Sequence, residues 1–222
     1  MMAERIRIDP VTDALLLVDV QPDFMPGGAL AVPDGDAVLP VINRLLAGPF
    51  RHAVATQDWH PPGHASFASA HPGRAPFETV GAPYGPQTLW PDHCVQGSPG
   101  AALHNGLDQA RIELILRKGW HPSVDSYSAF RENDRTTSTC LDAWLRARGF
   151  RRLFLTGLAT DFCVAWSAED AVALGFSVVV IEDACRGIGL PAASGHSSID
   201  IARERLQRTF GVPFVTSDLL AT

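Results

Sequence analysis

The chain has no apolar run of membrane-spanning length, few cysteines and no surplus of positive charge, and each shortage removes a class of function. A membrane helix needs ~20 consecutive apolar residues, whereas ALLLV (14–18) ends at Asp19. The four cysteines, Cys94, Cys140, Cys163 and Cys185, lie far apart with no CxxC pair. That spacing argues against a disulfide framework and for a reducing, cytoplasmic setting. With 24 acidic against 18 basic side chains the net charge is -6, which opposes capture of nucleic acid or of an anionic membrane surface. The opening segment MMAERIRIDP lacks the long apolar core and small-residue cleavage site of a secretory leader. No internal repeat and no linker divides the 222 residues, so a single domain over 1–222 is expected, large enough to bury its own core. A small, uncharged or weakly charged ligand suits such a surface better than a polyanion.

What is present is a rhythm. Short apolar runs alternate with helical patterns, the pattern of a three-layer α/β/α fold around a six-stranded, mostly parallel sheet. Strands are predicted at 14–19, 52–57, 112–117, 152–157 and 177–182, with a weaker one at 212–217. Helical periodicity fills 36–47, 138–148, the segment after Cys163, and 197–210, each followed by a stopping glycine at Gly48, Gly149, Gly175 or Gly211. One stretch breaks the alternation. From Asp58 to about residue 110 the chain is rich in Pro, Gly and His, with no convincing long helix or strand, and loops of that length are usually functional.

In a parallel sheet the carboxyl ends of all strands share one edge, where open α/β folds bind ligands. The predicted strands deliver Asp19, Asp58 with His60, Lys118 and, just after the fourth, Cys163 to that edge. Alone, each has a plain structural reading: a turn cap, a hydrogen-bonded turn, a surface lysine, a small core residue. Together they form a usable set. A carboxylate can take a thiol proton and return it to a leaving group while an ammonium balances the charge. Placement at a helix amino terminus is expected to favour the thiolate.

Asp58 and His60, two apart in extended chain, can turn toward one ion. His93 in LWPDHCVQ is the third candidate ligand, and three N/O donors leave positions open for a ligand. His64 and His71 lie in the same loop and could be further ligands, supporting groups or exposed residues. Zinc is the first choice for this donor set, with iron or manganese also fitting.

The blocks VDVQPDF, TQDWHPPGHASFA, LWPDHCVQGS, RKGW, VDSYSAF and GLATDFCV, in that order from about residue 14 to 190, resemble the signature of the nicotinamidase/pyrazinamidase group of isochorismatase-like cysteine hydrolases. The resemblance implies a metal-dependent amidohydrolase in NAD salvage. It would convert nicotinamide, and also pyrazinamide, through a cysteine thioester. It assigns Asp19, Lys118 and Cys163 as the catalytic triad, Asp58, His60 and His93 as ligands of one divalent ion, and the backbone N–H groups of Ala159 and Cys163 as the oxyanion hole. It further implies a cis peptide before Ala159 and a pyridine pocket lined by Phe24, Trp90, Tyr127 and Ala159. The partners expected are the small-molecule substrate and further copies of the chain in a homo-oligomer.

Two other readings compete. GIGLPA (187–192) formally matches the dinucleotide fingerprint G-x-G-x-x-A, but it follows the fifth strand and contains Pro191. A sibling hydrolase acting on an enol ether or a carbamoylated substrate is the nearer rival, and the metal-ligand set favours the pyridine carboxamide. Cys94, Cys140 and Cys185 have no assigned chemistry, burial being the simpler expectation for Cys94.

Overall fold

The computed structural model describes residues 5–192 and 195–221. Its centre is a six-stranded sheet of β1 (Asp13–Val18), β2 (Ala53–Asp58), β3 (Leu114–Lys118), β4 (Arg152–Leu158), β5 (Ser177–Arg186) and β6 (Phe214–Val215). The strands lie in the order β3-β2-β1-β4-β5-β6, and every pairing is parallel. Every residue of β1 and β2 is buried, which explains why Ala14–Val18 and Ala53–Thr56 do not alternate but run continuously apolar or small.

Alternate side chains of β1 feed two separate cores. Leu15 and Leu17 pack with Val38, Ile42 and Leu46 of α1 (Val38–Ala47). Leu16 and Val18 pack on the other face with Leu141 and Leu145 of α2 (Leu141–Ala147), Ala165 and Ala168 of α3 (Ala165–Ala173), and Leu206 of α4 (Ser198–Phe210). The expected three layers are therefore present. The expected stops hold as well: Gly211 caps α4 in the left-handed conformation, and α2 and α3 end two residues before Gly149 and Gly175.

Two features go beyond the sequence expectation. The stretch after Asp58 has no long element, but Thr79–Ala82 and Gly85–Thr88 form a short antiparallel hairpin. Its strands are four residues each and contain Gly81, Gly85 and Pro86, so period-two patterning has too little length to register. Ile6–Arg7 also pairs in parallel with Leu220–Ala221, two residues a side. Among the described residues no helix is long and apolar enough to cross a membrane.

The strand order reverses between β1 and β4, whose neighbours lie on opposite sides. Such a reversal opens a crevice at the carboxyl ends of the strands, and Asp19 and Cys163 follow the two strands that flank it.

Candidate active site

Lys118, the last residue of β3, is buried at the centre of the site. Its ammonium donates to Asp58 Oδ1 at 3.0 Å, to the Ser126 carbonyl at 2.9 Å and to Cys163 Sγ at 3.4 Å. Asp19 Oδ2, fully buried, pairs with the same ammonium at 2.8 Å, the shortest of its contacts, and lies beside the Cys163 thiol. Its companion Oδ1 accepts from Thr56 Oγ1 at 2.6 Å. Asp19 thus offers one fixed oxygen and one oxygen with a free lone pair. Its backbone is held at φ 49°, outside β1, by a bond from its N–H to the same Thr56 hydroxyl.

The electrostatics follow from burial and this one cation. Burial pushes the Asp19 carboxyl above its ordinary value, with Lys118 opposing. Burial would also raise Asp58, but His60 and Lys118 hold it well below the carboxylate range. Burial alone would neutralise Lys118; the two carboxylates instead hold it firmly protonated.

Cys163 corrects the expectation of a favoured thiolate. It lies in a π-helical turn, Thr160–Val164, one turn ahead of α3, and burial drives its thiol well above the ordinary range against the pull of Lys118. The resting group is therefore a neutral thiol that needs a base. The turn follows a cis peptide between Leu158 and Ala159, and the Ala159 carbonyl accepts from the N–H groups on either side of Cys163, those of Phe162 and Val164, each at 3.1 Å.

Asp58, His60 and His93 come together as a buried trio whose ligand atoms lie within 4.8 Å of one another. Each histidine points Nδ1 at a backbone carbonyl, Gly119 at 2.9 Å for His60 and Pro91 at 2.8 Å for His93. A carbonyl only accepts, so Nδ1 carries a proton and Nε2 is the ring atom turned toward Asp58. Both Nε2 atoms face Asp58 Oδ2, at 2.9 and 3.3 Å. Burial opposes a charge on His60, but the Asp58 carboxylate raises it and favours a second proton on Nε2; a divalent ion would take that proton's place, so the donor set fits such an ion.

His64 stands outside that trio but forms a second buried group with His60 and Asp125 whose ligand atoms also lie within 4.8 Å of one another. Its Nδ1 accepts the Ser66 N–H at 3.1 Å, and its Nε2 faces the His121 carbonyl at 2.8 Å, so both ring nitrogens are engaged by the protein. His71 Nε2 faces the Ala65 carbonyl at 2.8 Å. Cys94 is buried and faces the Gly100 carbonyl, with its thiol pushed up by burial, as expected of a core residue. Cys185 is likewise pushed up to about 12, while Cys140 is exposed.

Beside the thiol and the trio is a cavity of about 320 Å³ including its open mouth. Phe24, Trp90, Tyr127 and Ala159 line it as the resemblance implied. Leu30, Asp125, Phe162 and Ile188 line it too, and sequence reasoning missed all four. Phe162 stands edge-on to Trp90 with ring centres 4.8 Å apart, and its position next to Cys163 was the one available signal. The Tyr127 hydroxyl receives Trp90 Nε1 at 3.1 Å and Gln87 Nε2 at 3.0 Å, the latter from the unforeseen hairpin.

The profile of the isochorismatase domain matches residues 13–196. The chain belongs to the isochorismatase family. Within that family it is 50% identical over 195 residues to the nicotinamidase of Acinetobacter baylyi, covering 88% of this chain and 91% of that protein. The Escherichia coli nicotinamidase is 50% identical over 194 residues, covering 85% and 90%. A solved nicotinamidase/pyrazinamidase of Acinetobacter baumanii superposes with a TM-score of 0.89 at 49% identity over 95% of this chain and 99% of that one. A solved pyrazinamidase of Pyrococcus horikoshii in complex with zinc has a TM-score of 0.70 at 33% identity, over 92% and 98%. These similarities make this isochorismatase-family member a hydrolase of the nicotinamidase group.

Proposed function

We propose that the protein hydrolyses nicotinamide to nicotinate and ammonia, and accepts pyrazinamide, through a thioester on Cys163. The observation that carries this reading is the Lys118 ammonium spanning Asp58, Asp19 and Cys163 while leaving Asp19 Oδ2 free to accept a proton. A buried neutral thiol beside a buried base is the arrangement of a nucleophile activated at the moment of attack.

Asp19 Oδ2 takes the Cys163 proton as sulfur bonds to the carboxamide carbon. The N–H groups of Ala159 and Cys163 hold the resulting oxyanion, a contribution of about 3–4 kcal/mol per donor in comparable sites. The C–N bond breaks as Asp19 returns its proton to the leaving nitrogen, releasing ammonia. A water then gives its proton to Asp19 and adds to the thioester carbon. The C–S bond breaks, nicotinate leaves, and the proton on Asp19 returns to sulfur. Lys118 stays protonated throughout and keeps one positive charge beside the site.

Asp58, His60 and His93 would hold the divalent ion, zinc first, with iron or manganese suited by the same donors. Bound there, it supplies a Lewis-acid contact for the nitrogen of a heteroaromatic ring. Phe24, Trp90, Tyr127 and Phe162 offer aromatic edges and faces to that flat ring, and its carboxamide can then face Cys163. The reaction recovers nicotinate for NAD synthesis, in a single-domain cytoplasmic enzyme.

Ammonia release from nicotinamide by the wild type, Cys163→Ala and Asp58→Ala tests the reading. Turnover should disappear in the thiol variant. The second should lose its bound divalent ion, read by elemental analysis, and bind substrate far more weakly. Full activity in Cys163→Ala would overturn the mechanism.

A further inference from the structure

The motif GIGLPA is engaged by the protein's own side chains. Asp161, buried two residues before Cys163, accepts the Ile188 N–H on Oδ1 and the Gly189 N–H on Oδ2, each at 2.9 Å. Two successive backbone N–H groups pointing at one spot form the kind of nest that holds an anion, and here the protein's own carboxylate fills it. The Ser198 hydroxyl, at the start of α4, also donates to Asp161 Oδ2 and accepts the Leu190 N–H at 2.7 Å. Three consecutive residues, 188 to 190, are therefore tied to Asp161 directly or through one hydroxyl.

Close approach enforces the fit. A Cβ on Gly187 would stand 2.5 Å from Ile199 Cγ1 and 2.9 Å from Asp161 Oδ1, so the segment rests against its latch without space for a side chain there. The residue thus presented is Ile188, which lines the active-site cavity together with Phe162 of the catalytic turn.

We propose that Asp161 is a positioning residue that locks the 187–190 segment to the nucleophile's turn, and that Ile188, so held, is a specificity determinant limiting which ring substituents the cavity admits. This rests on the proposed amidase activity. A small, single-ring carboxamide passes; the same ring bearing a carbon substituent meets a wall that cannot retreat while Asp161 holds its backbone. The proposal concerns selection among substrates, because Ile188 carries no group able to move a proton.

Two readouts test it. In native-state hydrogen exchange, Asp161→Asn should speed exchange at the Ile188 or Gly189 amide at least tenfold, since an amide side chain retains one acceptor oxygen in place of two. Ser198→Ala should act in the same direction, and serves if Asp161→Asn does not fold. Unchanged exchange in the folded variant would overturn the latch, whatever the enzyme's substrate proves to be. The second readout is the ratio of kcat/KM for 5-methylnicotinamide to that for nicotinamide. Ile188→Ala and Asp161→Asn should each raise the ratio threefold or more, and a smaller change in Ile188→Ala would overturn the specificity claim. Absence of nicotinamide turnover in the wild type would instead sink the amidase reading, while the exchange readout still decides the latch.

Discussion

Asp19 Oδ2 is a buried carboxylate oxygen paired with Lys118 at 2.8 Å and set beside the Cys163 thiol, and its remaining lone pair gives the site its direction of proton flow. Because burial raises Asp19 and only its deprotonated form can act as base, activity should fall on the acid side at a pH above the ordinary carboxylate value of 3.8. Removing the opposing cation in Lys118→Met should move that acid limb of the kcat/KM profile to still higher pH. The same change strands two buried carboxylates and should cost about 3–5 kcal/mol of stability, read by denaturant unfolding. A limb that stays put or moves to lower pH would contradict Asp19 as the base. At this scale the sequence was legible where chemistry is carried by residue type. Asp19, Asp58, His60, Lys118 and Cys163 meet as strand ends at one edge would bring them, and the long loop adds His93. Leu30, Phe162 and Ile188 were not legible, because an apolar side chain facing a cavity and one facing the core have the same signature. The state of the thiol was misread for a related reason: helix-terminus reasoning omits the desolvation that dominates at Cys163.

Among the elements, β1 and β4 matter most, since their separation sets the distance between Asp19 and Cys163. They meet closely at Gly157, paired with Val18, where a Cβ would stand 2.0 Å from the Val18 carbonyl oxygen. Gly157 also holds φ +105°, a conformation L side chains rarely adopt. Gly157→Ala should therefore destabilise the protein by about 3 kcal/mol or more, through overpacking and backbone strain together. The measurement is the unfolding midpoint with a matched Gly63→Ala control, where a Cβ meets nothing within 4 Å although φ is also positive. Equal losses in the two would remove the close approach as the cause. The long elements were readable from apolar runs and glycine stops. The hairpin was not, although it carries Gln87, whose amide supports Tyr127 and Asp125 from outside the cavity. Its four-residue strands form through register with each other, which no single segment announces.

For the whole molecule, a site assembled from the ends of β1, β2, β3 and β4, the turn after β4 and the long loop should couple ligand binding to global stability. Nicotinate at a hundred times its Kd should add about 2.7 kcal/mol to the ion-loaded protein, and for a domain of this size each kcal/mol raises Tm by about 2–4 °C. Calorimetry with and without chelator provides the check. The chelated protein should show a lower Tm and a much smaller nicotinate shift, and equal shifts would contradict a role for Asp58, His60 and His93 in holding the ring. The parallel sheet and the two-faced packing were legible in outline because parallel sheets bury both faces of their strands. The pairing of Ile6–Arg7 with Leu220–Ala221 was not, since it joins the two ends of the described chain through two residues a side.

The central claim is that Cys163 becomes covalently acylated with Asp19 as its base, and the most direct measurement is intact-protein and peptide mass spectrometry after acid quench during nicotinamide turnover. The account predicts a mass increase of one nicotinoyl group on the peptide carrying Cys163 in the wild type, and neither adduct nor ammonia in Cys163→Ala. Asp19→Asn should show the adduct greatly diminished, since no base remains to take the thiol proton. Undiminished ammonia release by Cys163→Ala, or an acyl group on any other residue, would contradict it.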